Sequence, residues 1–303
     1  MLLLREINAF QPWFFPTVVF VFGACVGSFL NVCIYRLPRG ESVVSPGSHC
    51  ACGQPVAWYD NLPILSWFIL RGRARCCGRP FSFRYPFVEL LTAVLFTLGW
   101  RLFPAGQAMG GMVLVALVIG ATFIDLDHMI IPDGFTLGGA VAGVLLSLAL
   151  PVLHGISHEY YFIASLRGGL ASVLGVLVGS GLVLWIALLA EAVLRKEAMG
   201  FGDVKFLGAL GAFIGWKGAL FSMFGGAMLG CVWVAALLCW QKFSGHSTPL
   251  APKIETAEGQ PTERIGFGVH VSFGPMLGAG ALLYFFAARP YVEAYFDNLR
   301  MLF

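Results

Sequence analysis

Two acidic residues stand where apolar stretches give way to polar ones: Asp125 in Ile124-Asp125-Leu126-Asp127-His128, and Asp203 in Gly200-Phe201-Gly202-Asp203. A charge at membrane depth is expensive, which makes an unpaired carboxylate there a mark of function. The Gly-x-Gly step before Asp203 strips side chains from the backbone where another helix or an extended chain could approach. Two carboxylates brought to one water cannot easily both ionise, so they would hold one proton between them and titrate jointly. The ionised member can take a proton from the water while the protonated one polarises a carbonyl, which is the division of labour that peptide-bond hydrolysis needs.

The neighbouring acids divide by geometry. Asp127 lies two positions from Asp125, about 200° around a helix, so only one of them can face Asp203. His128 reads as a solvated interfacial residue. Asp133, in Ile131-Pro132-Asp133-Gly134, reads as the cap of a following helix. Asp203 could itself be an N-cap, although that role needs no preceding Gly-x-Gly. Glu89, just inside an apolar run that opens at Arg84-Tyr85-Pro86, is open to two readings, an ion pair with Arg84 or contact with a substrate. Glu191 has Arg195 as its i to i+4 neighbour.

The elements that must position these acids follow from composition. The chain has 303 residues, of which 58% are hydrophobic and only 12% charged, against about 25% charged in an ordinary soluble domain. Its apolar runs repeatedly approach the roughly 20 residues that cross a bilayer. These features predict an all-α polytopic membrane protein of about eight transmembrane helices, near 14–35, 86–103, 109–127, 134–153, 168–194, 204–215, 218–240 and 269–288, with a cytoplasmic Cys-containing insert after the first helix. Three regions result: 1–35 as the first transmembrane helix, 36–85 as a cytoplasmic basic loop, and 86–303 as the bundle that carries both aspartates. The stretch Trp13 to Ile34 lacks a clear signal-cleavage site and is expected to remain as a span.

Alternating the spans places 13 of the 19 basic residues on one face, which the positive-inside rule makes cytoplasmic. Asp125 and Asp203 then share the cytoplasmic side, and both termini lie outside. A net charge of +3 gives no basis for nucleic-acid binding. The segment 241–268, with Pro249, Pro252 and Pro261, reads as a flexible cytoplasmic loop. The absence of an internal repeat counts against an inverted-repeat transporter.

Cys25, Cys33, Cys231 and Cys239 fall in spans, as small apolar packing residues. The other four cluster as Cys50-Ala51-Cys52 and Cys76-Cys77, each followed by glycine. In a reducing cytoplasm such a cluster favours metal over disulfide, and the four are candidate zinc ligands. The spacing is irregular, because adjacent cysteines do not easily both reach one tetrahedral ion.

Taken as ordered blocks, the residues carry a more specific signal. Gly27-Ser28-Phe29-Leu30-Asn31-Val32 leads to Tyr35-Arg36-Leu37-Pro38; then come Trp58-Tyr59-Asp60-Asn61-Leu62-Pro63, Leu65-Ser66-Trp67, Arg84-Tyr85-Pro86, Asp125 to Asp133, Gly200 to Lys205, and Phe273-Gly274-Pro275. Over nearly its whole length the chain resembles the bacterial type IV prepilin peptidases, bifunctional leader peptidases and N-methyltransferases of the membrane Gly-x-Gly-Asp aspartic class. The resemblance implies that Asp125 and Asp203 are the catalytic pair. It implies prepilin and pseudopilin substrates, cut after a glycine at the cytoplasmic face of the inner membrane, with the new N-terminal residue, commonly phenylalanine, methylated from S-adenosylmethionine. Against the family's two Cys-x-x-Cys pairs, a frame anchored on Cys52 and Cys77 puts His49 and Ala74 at the remaining positions, so His49 is an alternative ligand to Cys50 or Cys76. No glycine-rich nucleotide-binding turn locates the methyl-donor pocket. From other functional classes, a proton-coupled transporter using the same carboxylates and an inert assembly scaffold remain as alternatives.

Overall fold

The computed structural model describes residues 11–194, 200–244 and 272–302. Its regular elements are helical: α1 Phe14–Arg36, the short α2 Leu65–Ile69, α3 Arg84–Leu102, α4 Ala105–His128, α5 Asp133–Ala149, α6 Tyr161–Leu194, α7 Phe201–Ser244, and α8 Gly274–Leu283, which continues through a π turn into α9 Arg289–Leu302. Four segments, Phe14–Arg39, Ala105–His128, Tyr161–Val193 and Phe201–Trp233, are long and apolar enough to cross a membrane, and Asp133–Ala149 is a shorter apolar helix. Helix α6 is apolar along its length and buries little of its surface. Residues such as Leu170, Leu177 and Trp185 therefore present an apolar face too large for water and suited to lipid.

Helix ends follow the local chemistry. Helix α1 runs on into a 3-10 turn, Leu37–Arg39, which Gly40 closes in a left-handed conformation (φ 68°) that glycine tolerates. Met129 ends α4 in a left-handed conformation, its N–H donating to the Asp125 carbonyl at 2.9 Å. Pro132 then separates α4 from α5, so Asp125 occupies the last turn of its helix. The spans expected at 204–215 and 218–240 are two arms of α7, broken at Gly215 (φ 71°, ψ 177°), a backbone conformation that glycine tolerates best. The break leaves the Ala212 carbonyl without its usual helical donor, and the buried Ser172 hydroxyl donates to it at 2.8 Å.

The extensive α6–α7 and α1–α3 seams and the α7–α8 packing build the bundle. Its core includes Ile124, Phe206, Leu210, Phe213 and Leu277, all nearly inaccessible. Of the cysteines placed in spans, only Cys33 is buried; Cys25, Cys231 and Cys239 lie on exposed helix faces, because these helices turn apolar surface outward as well as inward. The basic residues Arg195 and Lys196, and the loop at 241–268 except for its first four residues, lie outside the described residues.

Between α1 and α3 the chain makes a small polar lobe. Arg36 is buried, and its guanidinium donates to the carbonyls of Ser42 (2.9 Å) and Gly47 (3.2 Å). Arg75 grips both oxygens of Asp60 at 2.8 to 3.1 Å, which holds the Asp60 carboxyl below its ordinary range. Trp67 stacks edge-on against Phe83 and donates its indole N–H to the Phe81 carbonyl. These loop arginines bind backbone and carboxylate, in addition to the topological part that their charge suggests.

Candidate active site

Asp125 and Asp203 lie at the same end of the bundle, in the last turn of α4 and the first turn of α7. Asp125, in the last turn of α4, is 6% exposed, and its Oδ2 has no hydrogen-bond partner among the described residues. Asp203 lies in the first turn of α7 and is half-buried. It is the third residue of that helix rather than its N-cap, because the helix already begins at Phe201. The two carboxyl groups are near enough for their charges to interact. Ile131, in the connection after α4, joins their surroundings: it faces the bare backbone of Gly202 on one side and that of Gly274 on the other.

The closest backbone approach is at Gly274, the first residue of α8. A Cβ added there would stand 2.5 Å from Asp125 Oδ2 and 3.0 Å from Ile131 Cδ1. Gly200 and Gly202 are roomier, since a Cβ on either would meet its nearest neighbour at 3.9 and 3.7 Å. Sequence reasoning gave weight to the glycines before Asp203 and singled out no physical role for Gly274. Its partner is more than a hundred positions away in the chain, and no local pattern reports that contact.

The flanking charges are engaged elsewhere. Asp127 is exposed on the far side of α4 from Asp125 and accepts from Arg84 Nη1 at 2.6 Å, while Arg84 Nη2 donates to the Phe123 carbonyl at 3.1 Å. Helical spacing had left room for only one of Asp125 and Asp127, and the exposed one has the cation. Asp133 is the first residue of α5, makes no capping bond to the backbone, and pairs with Lys205. Lys205 therefore spends its charge on Asp133, not on Asp203 two residues before it. We expect Asp127→Asn to keep activity within about tenfold of wild type, as a partly exposed ion pair is worth about 1 kcal/mol; a rate assay on the purified variant checks this.

A second cluster lies in the polar lobe. The Sγ atoms of Cys50, Cys52, Cys76 and Cys77 all fall within 4.8 Å of one another, with Cys50 to Cys77 at 3.6 Å and Cys52 to Cys76 at 3.4 Å. Two tight turns produce this. Gly53 N–H donates to the Cys50 carbonyl and Gly78 N–H to that of Ala74, and each turn closes on a pair of antiparallel bridging residues. Adjacent Cys76 and Cys77 were expected to diverge; the turn ending at Gly78 curls the chain so that both thiols face the first pair. His49 stands outside the cluster, its Nδ1 3.1 Å from the Gly47 carbonyl. The backbone N–H of Cys52 and the adjoining thiols draw Cys50 down to about 7, and hydrogen bonding to Cys52 first, then to Cys50, pushes Cys76 up to about 12. Four thiols so placed can hold a metal ion, since Zn–S bonds of about 2.3 Å put tetrahedral sulfurs about 3.8 Å apart.

Comparison with known proteins gives this arrangement a family. The model for the bacterial peptidase A24 N-terminal domain matches residues 21–103, and that for the type IV leader peptidase family matches residues 112–235. The chain belongs to the type IV leader peptidase family. It is similar to the prepilin leader peptidase/N-methyltransferases of Klebsiella pneumoniae, 39% identical over 71% of this chain and 92% of the relative, and of Aeromonas hydrophila, 35% identical over 85% and 93%. The protein of that name from Myxococcus xanthus is 40% identical over 73% of this chain, a match that spans 64% of the relative's length. No solved structure matches. For a chain of the leader peptidase family, the meeting of Asp125 and Asp203 is the geometry to explain.

Proposed function

We propose that this chain removes the leader from type IV prepilins and pseudopilins, with Asp125 and Asp203 as its catalytic pair, and then N-methylates the new terminus using S-adenosylmethionine. The observation that carries the reading is the convergence of two carboxylates from separate helix ends beside the bare backbones of Gly202 and Gly274. One carboxylate takes a proton from the attacking water, and the other, protonated, donates to the scissile carbonyl and then to the leaving amine. Among the described residues no cation pairs with either carboxylate, which leaves both members free for proton transfer. Family membership weighs against a transporter that uses the same acids.

The orientation belongs to the same proposal. Eight spans, with the polar lobe and the aspartate end facing the cytoplasm of a bacterial inner membrane, agree with the excess of Arg and Lys on that side. A prepilin can then keep its own apolar helix in the bilayer while its basic leader meets the pair. Purified protein in detergent, given a prepilin and followed by mass spectrometry, should yield both the shortened chain and its methylated form. Intact prepilin after prolonged incubation would refute the peptidase reading.

The cysteine cluster is proposed as a structural zinc site, held by Cys50, Cys52, Cys76 and Cys77; bound there, zinc would cross-link the two turns of the lobe. Elemental analysis of protein purified without chelators should give about one zinc per chain, falling on Cys52→Ser substitution. Zinc well below one per chain would sink this assignment.

A further inference from the structure

Glu89 is a buried carboxylate that the peptidase chemistry does not use. It is 8% exposed, in the seam between α1 and α3. Gly27 of α1 makes that seam tight, as a Cβ on it would come within 2.6 Å of Glu89 Cα, and Ser28 lies beside the carboxyl group. Glu89 Oε2 accepts the backbone N–H of Ile64 at 2.6 Å. Ile64 is held at φ 66°, ψ −54°, a costly conformation for a β-branched residue, directly before α2. Two positions further on, the Ser66 hydroxyl is buried and makes no hydrogen bond among the described residues.

The expected partner is absent. Arg84, five residues away, is engaged with Asp127 and the Phe123 carbonyl, and no salt bridge to Glu89 is found among the described residues. A carboxylate buried without a cation is expensive, and a cationic ligand would offset the cost. The surroundings offer acceptors: the carboxylate itself and the Ser28 hydroxyl beside it. That suits a primary ammonium, which has three N–H donors. Helix α3 also packs on α4, the helix of Asp125, through Arg84 and the Phe87–Phe123 ring contact. The helix that carries Glu89 is therefore the direct neighbour of the helix that ends at Asp125.

We propose that Glu89 binds the α-ammonium of the newly exposed N-terminal residue and accepts its proton for methylation; this rests on the methyltransferase part of the proposed function. The N–H bond breaks toward Glu89 and frees the nitrogen lone pair. The nitrogen forms a bond to the methyl carbon as the carbon–sulfur bond of the sulfonium donor breaks, its electron pair staying on sulfur. The products are the N-methylammonium terminus, a thioether, and a proton that Glu89 passes to solvent.

The test uses full-length protein in detergent, wild type and Glu89→Gln, since glutamine retains an acceptor for Ile64 N–H. Prepilin cleavage by the variant should stay within about threefold of wild type, while methylation falls about 100-fold, the scale of a lost proton acceptor. A short peptide beginning with phenylalanine, and its des-amino analogue beginning with 3-phenylpropanoyl, provide a binding readout. Wild type should prefer the amine about tenfold, on the scale of a charge-assisted hydrogen bond, and the variant should bind both alike. Glu89→Asp should recover part of the preference. Methylation at the wild-type rate, or an amine preference that survives Glu89→Gln, overturns the proposal. So does weakened S-adenosylmethionine binding with the preference intact, which would place the donor there, or a joint fall of cleavage and thermal midpoint, which would make Glu89 only an anchor for the loop. If wild type cleaves but never methylates, the methyltransferase reading fails by itself, and the peptide pair still tests whether Glu89 binds the amine.

Discussion

Asp125→Asn and Asp203→Asn should each lower leader removal by about 10³-fold, within the range that positioned acid–base groups contribute. Asparagine has nearly the shape of aspartate but can neither accept the proton of the attacking water nor supply one to the leaving amine. Because a joint pair needs one ionised and one protonated member, loss of either should cost as much as loss of both. The double variant should therefore fall little below the single ones. Asp125 makes no salt bridge among the described residues, so these variants should still accumulate in the membrane. Processing followed by gel shift and mass spectrometry, with immunodetection of the enzyme, checks both halves. A single variant that retains more than a tenth of wild-type activity would remove its aspartate from the proposed mechanism.

Gly274→Ala should cost on the order of 10² in cleavage rate, a typical penalty when a reacting group is displaced by about an ångström. The added methyl would sit 2.5 Å from Asp125 Oδ2 and 3.2 Å from its Cγ, closer than non-bonded atoms approach. Either the carboxylate swings away from Asp203 or α8 moves outward, and both spoil the shared site. The same methyl at Gly202 would meet only ordinary contacts near Ile131. A large loss at Gly202 would then report on the substrate's approach, whereas a loss at Gly274 reports on Asp125 itself. Comparing kcat with KM for the two variants separates these causes, with Gly274→Ala expected to act mainly on kcat. Wild-type kcat for Gly274→Ala would show that the contact is not strict.

Much of the bundle could be read from hydropathy, because a helix must satisfy its own backbone when lipid replaces water. Runs of apolar residues thus marked α1, α4, α5 and α6 closely, and the expected span that closed at Gly215 and the one that followed it from 218 prove to be the two arms of α7. Helical periodicity was enough to separate Asp125 from Asp127, since two positions on one helix cannot face the same partner. Cysteine spacing identified four thiols but not their geometry. The reversal that brings Cys76 and Cys77 to face Cys50 and Cys52 depends on backbone turns that spacing does not encode.

Partners distant in the chain were the harder part. Arg84 was a reasonable neighbour for Glu89 along the sequence, yet it reaches across to α4 and pairs with Asp127, leaving Glu89 to the Ile64 amide. Asp133 read as a cap, and a cap was the lesser alternative for Asp203, but helix starts depend on backbone angles to within a residue, and the structure places both inside the first turn. By itself the sequence determined the class of molecule, the acids available for chemistry and the family they belong to, because composition, periodicity and ordered motifs are properties of the chain. Only the tertiary structure decided that Gly274 lies against Asp125, that Ile131 joins the surroundings of Asp125 and Asp203, and that Glu89 is buried with no cation among the described residues, because each depends on packing between helices far apart in the chain.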